Sequence, residues 1–308
     1  MTTIRTLLAD SHFQQKKVLE KLVCHYMNIT KEQIFTSYEM EIPQEQLTAI
    51  KTGYDAYVID KKPLEFILGF VEFYQRRFAV DGRCLIPRPE TEYMIEGVCD
   101  HVTAQLQAPH EDTSQAKTLL VDVGTGCGVL GLSVLLENPT YFSSAYLTEY
   151  FPDTLSLAQE NYNHYKDQIP TYTQLVQADL IDFLVTPTAP ASATAPAGTT
   201  TDADIIIVAN LPYIPDETFD TSAEDNVKKR EPRPAFVGGT DGLDYYRQMF
   251  AQIFSLQSSD QKASSITMFL EMMTRQVDIL RQEFGDKIDF SEIKTFHFNI
   301  RIVKGLVR

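Results

Sequence analysis

Apolar positions recur every three or four residues over most of the first 60 positions. Ile4, Leu7 and Leu8 begin the series, and Val18, Leu19, Leu22, Val23 and Tyr26 continue it, which is the spacing of one face of an amphipathic helix. Thr30-Lys-Glu-Gln33 has the form of a capping box. Pro43 is placed to open a helix whose apolar face is Leu47, Ile50, Tyr54, Tyr57 and Val58. A small helical domain over residues 1–62 is predicted. The pattern then changes: Phe66-Ile-Leu68, Val71-Glu-Phe-Tyr74 and Phe78-Ala-Val80 read as extended segments, with Asp81-Gly82 as a turn dipeptide. A β-hairpin linker over residues 63–86 follows from that reading.

After Pro89 a helix carrying Met94, Ile95, Val98, Val102 and Leu106 leads into alternating β and α signals. Strands are predicted at Thr118 to Val123, Ala145 to Glu149, Thr173 to Gln177, Asp204 to Ala209 and Ser265 to Glu271. Helices are predicted at Leu130 to Leu136, Thr154 to Tyr165, Leu243 to Phe254 and Arg275 to Phe284. Alternation at that spacing predicts an α/β fold with a mainly parallel, doubly wound sheet. The tail, Ile293 to Phe298 and Ile300 to Val303, reads as a late antiparallel hairpin or one bent strand. Pro187 to Thr201 contains only Pro, Ala, Ser, Thr and Gly. Such a stretch cannot bury enough apolar surface to offset its ordering entropy, so a mobile insertion is expected there. No internal repeat is visible.

At 308 residues and 44% hydrophobic, the chain can bury one large core and a smaller satellite. Its net charge of −15 disfavours nucleic acid as a partner, because binding a polyphosphate depends on Lys and Arg neutralising its backbone. The four cysteines are scattered without metal-ligand or disulfide spacing, so no metal site and a reduced compartment are expected. No apolar stretch approaches the roughly 20 residues of a membrane span. A soluble, cytoplasmic protein with no membrane partner is the resulting expectation.

Two segments carry chemistry. In Leu119-Leu-Val-Asp-Val-Gly-Thr-Gly-Cys-Gly128 a buried strand runs into a glycine-rich turn and then a helix, which lets the backbone approach a ligand and sets a helix N-terminus against it. Gly126-Cys-Gly-Val-Leu-Gly131 also satisfies the dinucleotide pattern, so two cofactor classes compete. Asp122 favours S-adenosylmethionine, since a carboxylate there meets a cationic methionine end but repels a pyrophosphate. Glu149, closing the next strand, suits a ribose diol under either reading. A tight turn without any ligand needs only two glycines, so the turn alone does not decide.

The second segment, Asn210-Leu-Pro-Tyr213, ends an apolar strand abruptly. Methyl transfer to an amide or aromatic amine is hard because the nitrogen lone pair is delocalised. Two acceptors gripping the amino hydrogens would draw that lone pair toward the methyl group. The Asn210 side-chain oxygen and the Leu211 carbonyl can be those acceptors, with Tyr213 packed on the planar group and Pro212 stiffening the turn. Because the nitrogen becomes acidic only as the new bond forms, alignment can replace a strong base. Asn and Pro also end strands for purely structural reasons. Leu85-Ile-Pro-Arg-Pro-Glu-Thr-Glu92 and Glu231 to Leu243 read, by composition, as a solvated helix opening and a turn-rich loop.

In order and spacing, Lys62-Pro-Leu-Glu-Phe-Ile-Leu-Gly69, Leu85 to Glu92, Asp122 to Gly128, Asn210 to Tyr213 and Glu231 to Leu243 resemble the release factor glutamine methyltransferases of the HemK/PrmC type. The resemblance spans roughly residues 60 to 275. It implies a Rossmann-like seven-stranded class I methyltransferase domain over residues 87–308 and a small N-terminal helical domain that helps hold the substrate. It also implies methyl transfer from S-adenosylmethionine to the glutamine of the Gly-Gly-Gln loop of a peptide chain release factor. On this resemblance Asn210 and Leu211 grip the glutamine amide and Tyr213 packs on it. Asp122 and Gly124 line the methionine end, with Thr125, Gly126 and Gly128 also binding the cofactor, Glu149 the ribose, and Asp179 with Leu180 the adenine edge. Arg88, Pro89, Glu90 and Thr91 close over cofactor and substrate. Apart from the resemblance, no metal and a monomeric state are expected. The family usually has Pro where this chain has Leu211, and Asn-Leu-Pro-Tyr is the form found in ribosomal RNA adenine dimethyltransferases. Glu149 stands for a more usual Asp. A ribosomal-protein glutamine, the exocyclic amine of adenine, and a protein-binding module without activity are the alternatives.

Overall fold

The computed structural model describes residues 2–108, 117–169, 171–185, 200, 202–222, 229–295 and 300–308. Two β-strands, β1 (Phe70–Phe73) and β2 (Arg76–Ala79), form an antiparallel hairpin; seven more, β3 (Thr118–Val123), β4 (Ser144–Glu149), β5 (Tyr172–Gln177), β6 (Asp204–Ala209), β7 (Ser265–Met273), β8 (Ile288–Thr295) and β9 (Ile300–Val307), form one sheet. The sheet order is β5-β4-β3-β6-β7-β9-β8, parallel from β5 to β7 and antiparallel at β7–β9 and β8–β9. This is a Rossmann-like seven-stranded sheet.

All six residues of β3 are buried, as a central parallel strand covered on both faces requires. Leu119, Val121 and Val123 enter the core on one face of the sheet and Leu120 the core on the other, following the two-residue period of a strand. The helix Val129–Glu137, nearly all apolar, lies in the second core with the Glu92–Gln107 helix. The helix Asp244–Gln257 buries Tyr246, Met249, Phe250 and Ile253 in the first. These last four follow the helical spacing that predicts that element.

The first 60 residues fold into helices around a third core of Ile4, Leu19, Leu22, Ile50 and others. The Thr30–Gln33 capping box forms as the sequence predicts. Phe66-Ile-Leu68, predicted to be extended, lies instead in a short helix, Leu64–Leu68, that ends at Gly69 with φ 78°. Phe66 is buried in the second core, beside the large sheet, while Leu64 belongs to the helical core. A run of three apolar residues fits either element, and packing between two cores chose the helix. The hairpin turn falls at Tyr74-Gln75, both with positive φ, as a two-residue turn between twisted strands demands. Asp81-Gly82 opens a separate turn, closed by the Cys84 amide on the Asp81 carbonyl. Leu106 is 66% exposed and so lies off the buried face predicted for it. The tail is an antiparallel pair of strands. Apart from Thr200, which is buried and donates to the Gln261 carbonyl, the segment predicted to be a mobile insertion lies outside the described residues, as does Thr201.

Candidate active site

The chain runs outward from β3 to β4 and β5, then returns to β6 on the other side of β3. The crevice at the carboxyl ends of the strands where such an order reverses is where α/β sheets bind ligands. Val123, the last residue of β3, is level with Ala209, the last of β6. The glycine turn and Asn210 therefore leave adjacent strands side by side. A cleft of about 680 Å³ opens there, within the range of small-molecule sites.

The glycine turn is built around Asp122. Its Oδ2 accepts the Thr125 hydroxyl at 2.5 Å and the Gly131 amide at 2.8 Å, tying the end of β3 to the first turn of the following helix. A Cβ on residue 131 would lie 2.7 Å from that oxygen, so only glycine lets the helix come this close. Gly124, Gly126 and Gly128 all have positive φ. Burial pushes the Asp122 carboxyl up to about 6, against the opposing hydrogen bonds from Thr125 and Gly131. Glu149, at the end of β4, accepts the Gly126 amide at 3.2 Å and the Phe151 amide at 3.1 Å. Burial raises its pKa too. Asn161, a buried side chain, donates to the Cys127 carbonyl at 2.7 Å and accepts from the Ala79 amide at 2.7 Å. It clamps the turn to the hairpin.

Asn210 to Tyr213 is held from three sides. Leu211 is buried, and its Cδ2 would lie 3.0 Å from a Cβ placed on Gly124, so its side chain packs against the glycine turn. Behind the tetrapeptide runs the Glu231 to Leu243 loop. The Ile214 amide donates to the Phe236 carbonyl at 2.8 Å and the Gly238 amide to the Ile214 carbonyl at 3.0 Å. Gln276 bridges the Tyr213 and Asp241 carbonyls at 2.6 and 2.9 Å. The third support is Glu271, on β7 and 1% exposed. It accepts the Tyr213 hydroxyl at 2.9 Å and the Thr91 hydroxyl at 2.7 Å, and Asn210 Nδ2 donates to Thr91 Oγ1 at 3.0 Å. Burial raises the Glu271 pKa, and the Tyr213 hydroxyl is likewise pushed well up, by burial and then by the Glu271 charge.

Arg88 joins the remaining segments. Its guanidinium meets both oxygens of Glu231 at 3.0 and 3.1 Å, and the Ile86 amide donates to the same buried carboxylate at 2.9 Å. Glu231 is buried while Arg88 is partly exposed, so loss of Arg88 would leave a buried carboxylate without its charge partner. The Leu85 to Glu92 and Glu231 to Leu243 segments, which composition presents as independent loops, are thus one structure.

Of the residues singled out in the sequence, Arg88, Thr91, Asp122, Gly124, Thr125, Gly126, Glu149, Asp179, Leu180, Asn210, Leu211 and Pro212 line the cleft. Pro89, Glu90, Gly128 and Tyr213 lie outside that lining. Asp179 already accepts from Gln248 Nε2 at 2.7 Å, and Leu180 is buried with φ 60°. Sequence reasoning missed Glu271, Glu231, Gln276 and Asn161. One signal was available for Glu271: it is the single charged residue in Ser265-Ile-Thr-Met-Phe-Leu-Glu-Met-Met273, and an acid inside an apolar central strand needs partners. Among the described residues no cluster of His, Cys, Asp or Glu could hold a metal ion, and no helix is long and apolar enough to cross a membrane.

No family model matches the chain. Curated relatives do, under the name release factor glutamine methyltransferase. The one from Koribacter versatilis is 30% identical over 239 residues, covering 76% of this chain and 72% of its own. That from Bacillus cereus is 28% identical over 234 residues, covering 76% and 73%. That from Lactococcus lactis is 26% identical over 296 residues, covering 92% of each. Among solved structures, the hMettl16 catalytic domain in complex with MAT2A 3′UTR hairpin 6 superposes with a TM-score of 0.50 at 11% identity, over 86% of this chain and 82% of that one. At that identity the likeness is one of fold.

Proposed function

The chain belongs to the release factor glutamine methyltransferase family, and from that premise we propose that it methylates the side-chain amide of the glutamine in the Gly-Gly-Gln loop of a peptide chain release factor, with S-adenosylmethionine as donor. The observation that carries this reading is the juxtaposition, at one sheet switch point, of the Asp122 glycine turn and the Asn210 tetrapeptide. One could hold a cationic donor and the other a planar amino group.

The residues of the cleft fit that donor. Both donors to Asp122 take Oδ2, which leaves Oδ1 as the oxygen to meet an ammonium group. Glu149 suits a ribose diol, and its extra methylene relative to Asp still reaches one. The turn of Gly124, Thr125 and Gly126 offers backbone to the methionine end, while Asp179 and Leu180 would border the adenine. Arg88 and Thr91 border the same cleft, and Pro89 and Glu90 belong to the turn that holds them. When bound, S-adenosylmethionine supplies an electrophilic methyl group on a sulfonium.

The protein's own part is alignment. Asn210 Oδ1 and the Leu211 carbonyl accept the two amide N–H groups, which turns the nitrogen lone pair out of conjugation and toward the methyl carbon. With the donor bound, the nitrogen so held would be aligned to take the methyl group as the sulfonium leaves. The nitrogen then carries a proton acidic enough to be lost without a strong base. Tyr213, tethered by Glu271 and Gln276, keeps the turn from yielding. The helical domain of the first 62 residues would hold the body of the release factor.

The test is incubation of the protein with radiolabelled S-adenosylmethionine and a release factor, wild type or with Ala for the glutamine of its Gly-Gly-Gln loop. Label is expected in the wild-type factor alone. Equal labelling of both would remove that glutamine as the target.

A further inference from the structure

Asn210 lies at the end of a directed chain of hydrogen bonds that begins at Glu271. In its ionised form Glu271 has acceptors only, and both hydroxyls that meet it then donate to it: Thr91 to Oε2 at 2.7 Å and Tyr213 to Oε1 at 2.9 Å. A hydroxyl carries one proton. Thr91, having given its proton to Glu271, can offer Asn210 nothing but a lone pair, and the Nδ2–Oγ1 distance is 3.0 Å. A primary amide bears its donor and its acceptor on opposite arms. With Nδ2 turned to Thr91, Oδ1 is turned away from it, on the residue that lines the cleft.

We infer that Glu271 and Thr91 are positioning residues that hold the Asn210 amide with its nitrogen toward the protein and its oxygen toward the cleft, so that the site takes a substrate group presenting N–H donors. This assignment rests on the reading of Asn210 as an acceptor for the substrate amide. It supplies what that reading needs, because an Asn free to flip would present Nδ2 half of the time and repel an N–H. The anchor is rigid. Glu271 is buried, its main-chain carbonyl also accepts the Tyr246 hydroxyl at 2.5 Å, and Tyr246 is itself fully buried.

The direction of the chain makes specific demands on substitutions. Glu271→Gln keeps the shape but replaces one acceptor by a donor. If that donor faces Thr91, the Thr91 proton is released toward Asn210 and the amide reverses; if it faces Tyr213, the Tyr213 tether reverses instead. Thr91→Val keeps the shape and removes the Thr91 link, leaving Asn210 only its direct contact with Glu271. Thr91→Ser preserves it.

Two measurements decide the matter. Methyl transfer to a release factor is followed for wild type, Thr91→Val, Thr91→Ser, Glu271→Gln, Asn210→Ala and the Thr91→Val/Asn210→Ala double variant. In parallel, hydrogen exchange of the Asn210 side-chain amide protons is followed by ¹⁵N NMR, with the signals assigned by their loss in Asn210→Asp. Thr91→Val and Glu271→Gln are expected to lower kcat roughly 10-fold, less than loss of the acceptor itself, and Thr91→Ser to recover most of the rate. In the double variant Thr91→Val should add nothing to Asn210→Ala, because residues acting as a unit are not additive. The Asn210 amide protons should exchange slowly in wild type and Thr91→Ser and faster in Thr91→Val. A wild-type kcat in Thr91→Val, a multiplied loss in the double variant, or equal exchange in wild type and Thr91→Val overturns the inference. If the wild type leaves the release factor unlabelled, the functional reading fails, and the exchange rates still decide the orientation of Asn210. Should Thr91→Val not fold, Thr91→Ala, which also removes the hydroxyl, carries the same rate and exchange measurements.

Discussion

Asn210 and Asp122 stand on neighbouring strand ends and are asked for different things. On the proposed reading Asn210 would offer one side-chain acceptor to a group that is present only with substrate. Asn210→Ala is therefore expected to cut turnover by at least ~100-fold, the scale of losing one preorganised polar contact, while S-adenosylmethionine affinity measured by calorimetry stays nearly unchanged. Similar turnover in the two proteins would take Asn210 out of the mechanism. Asp122 carries a stability consequence that needs no substrate. Burial raises its folded-state pKa to about 6, so the folded protein takes up this proton more readily than the unfolded chain does. The stabilisation linked to that proton is full below the ordinary Asp pKa and is lost as pH rises through about 6. Asp122→Asn keeps an oxygen for Thr125 and Gly131, which both use the same atom, and removes the charge. The melting temperature of wild type relative to Asp122→Asn should fall between about pH 4 and 6 and level off above about 7. A difference independent of pH would mean that Asp122 does not titrate in that window.

At the scale of elements, the tetrapeptide works because a loop from elsewhere in the chain backs it. A Cβ on Gly238 would lie 2.3 Å from the Pro212 carbonyl oxygen, and one on Gly242, at φ 79°, would lie 2.1 Å from that of Tyr213. Both contacts are with backbone, which cannot turn aside as a side chain can. Gly238→Ala should destabilise the protein by about 1–3 kcal/mol through overpacking and lower turnover by shifting Pro212, read as a reduced urea midpoint and a reduced kcat. An unchanged midpoint would show that the loop gives way there. Element prediction succeeded where periodicity was long, as in the helix Asp244–Gln257 and the strand β6. It failed at Phe66-Ile-Leu68, where three apolar residues are too few to carry a period and two adjoining cores decided the outcome.

For the molecule as a whole, the −15 net charge separates the two substrates that the tetrapeptide allows. Asn-Leu-Pro-Tyr suits an adenine amine as chemistry, yet a chain this acidic gains little from the counterion release that draws proteins to nucleic acid. An excess of structured RNA is expected neither to accept label from S-adenosylmethionine nor to slow methylation of a release factor at moderate salt. Labelled RNA would favour the adenine reading. Leu211 bears on the same choice: its side chain is buried against the glycine turn, so it differs from Pro in packing, and on the proposed reading what it would turn to substrate is a carbonyl common to every residue.

By itself the sequence determined the alternating α/β order, the glycine turn after β3 and the strand-ending tetrapeptide after β6, because periodicity, turn chemistry and main-chain approach are local properties that a short window of residues expresses. Only the tertiary structure decided what those segments meet. Glu271 reaches Thr91 and Tyr213, Glu231 reaches Arg88, and Gln276 spans two loops, all across long stretches of chain. A buried carboxylate or amide finds partners wherever the sheet order brings donors together, and that order is set by the packing of whole layers.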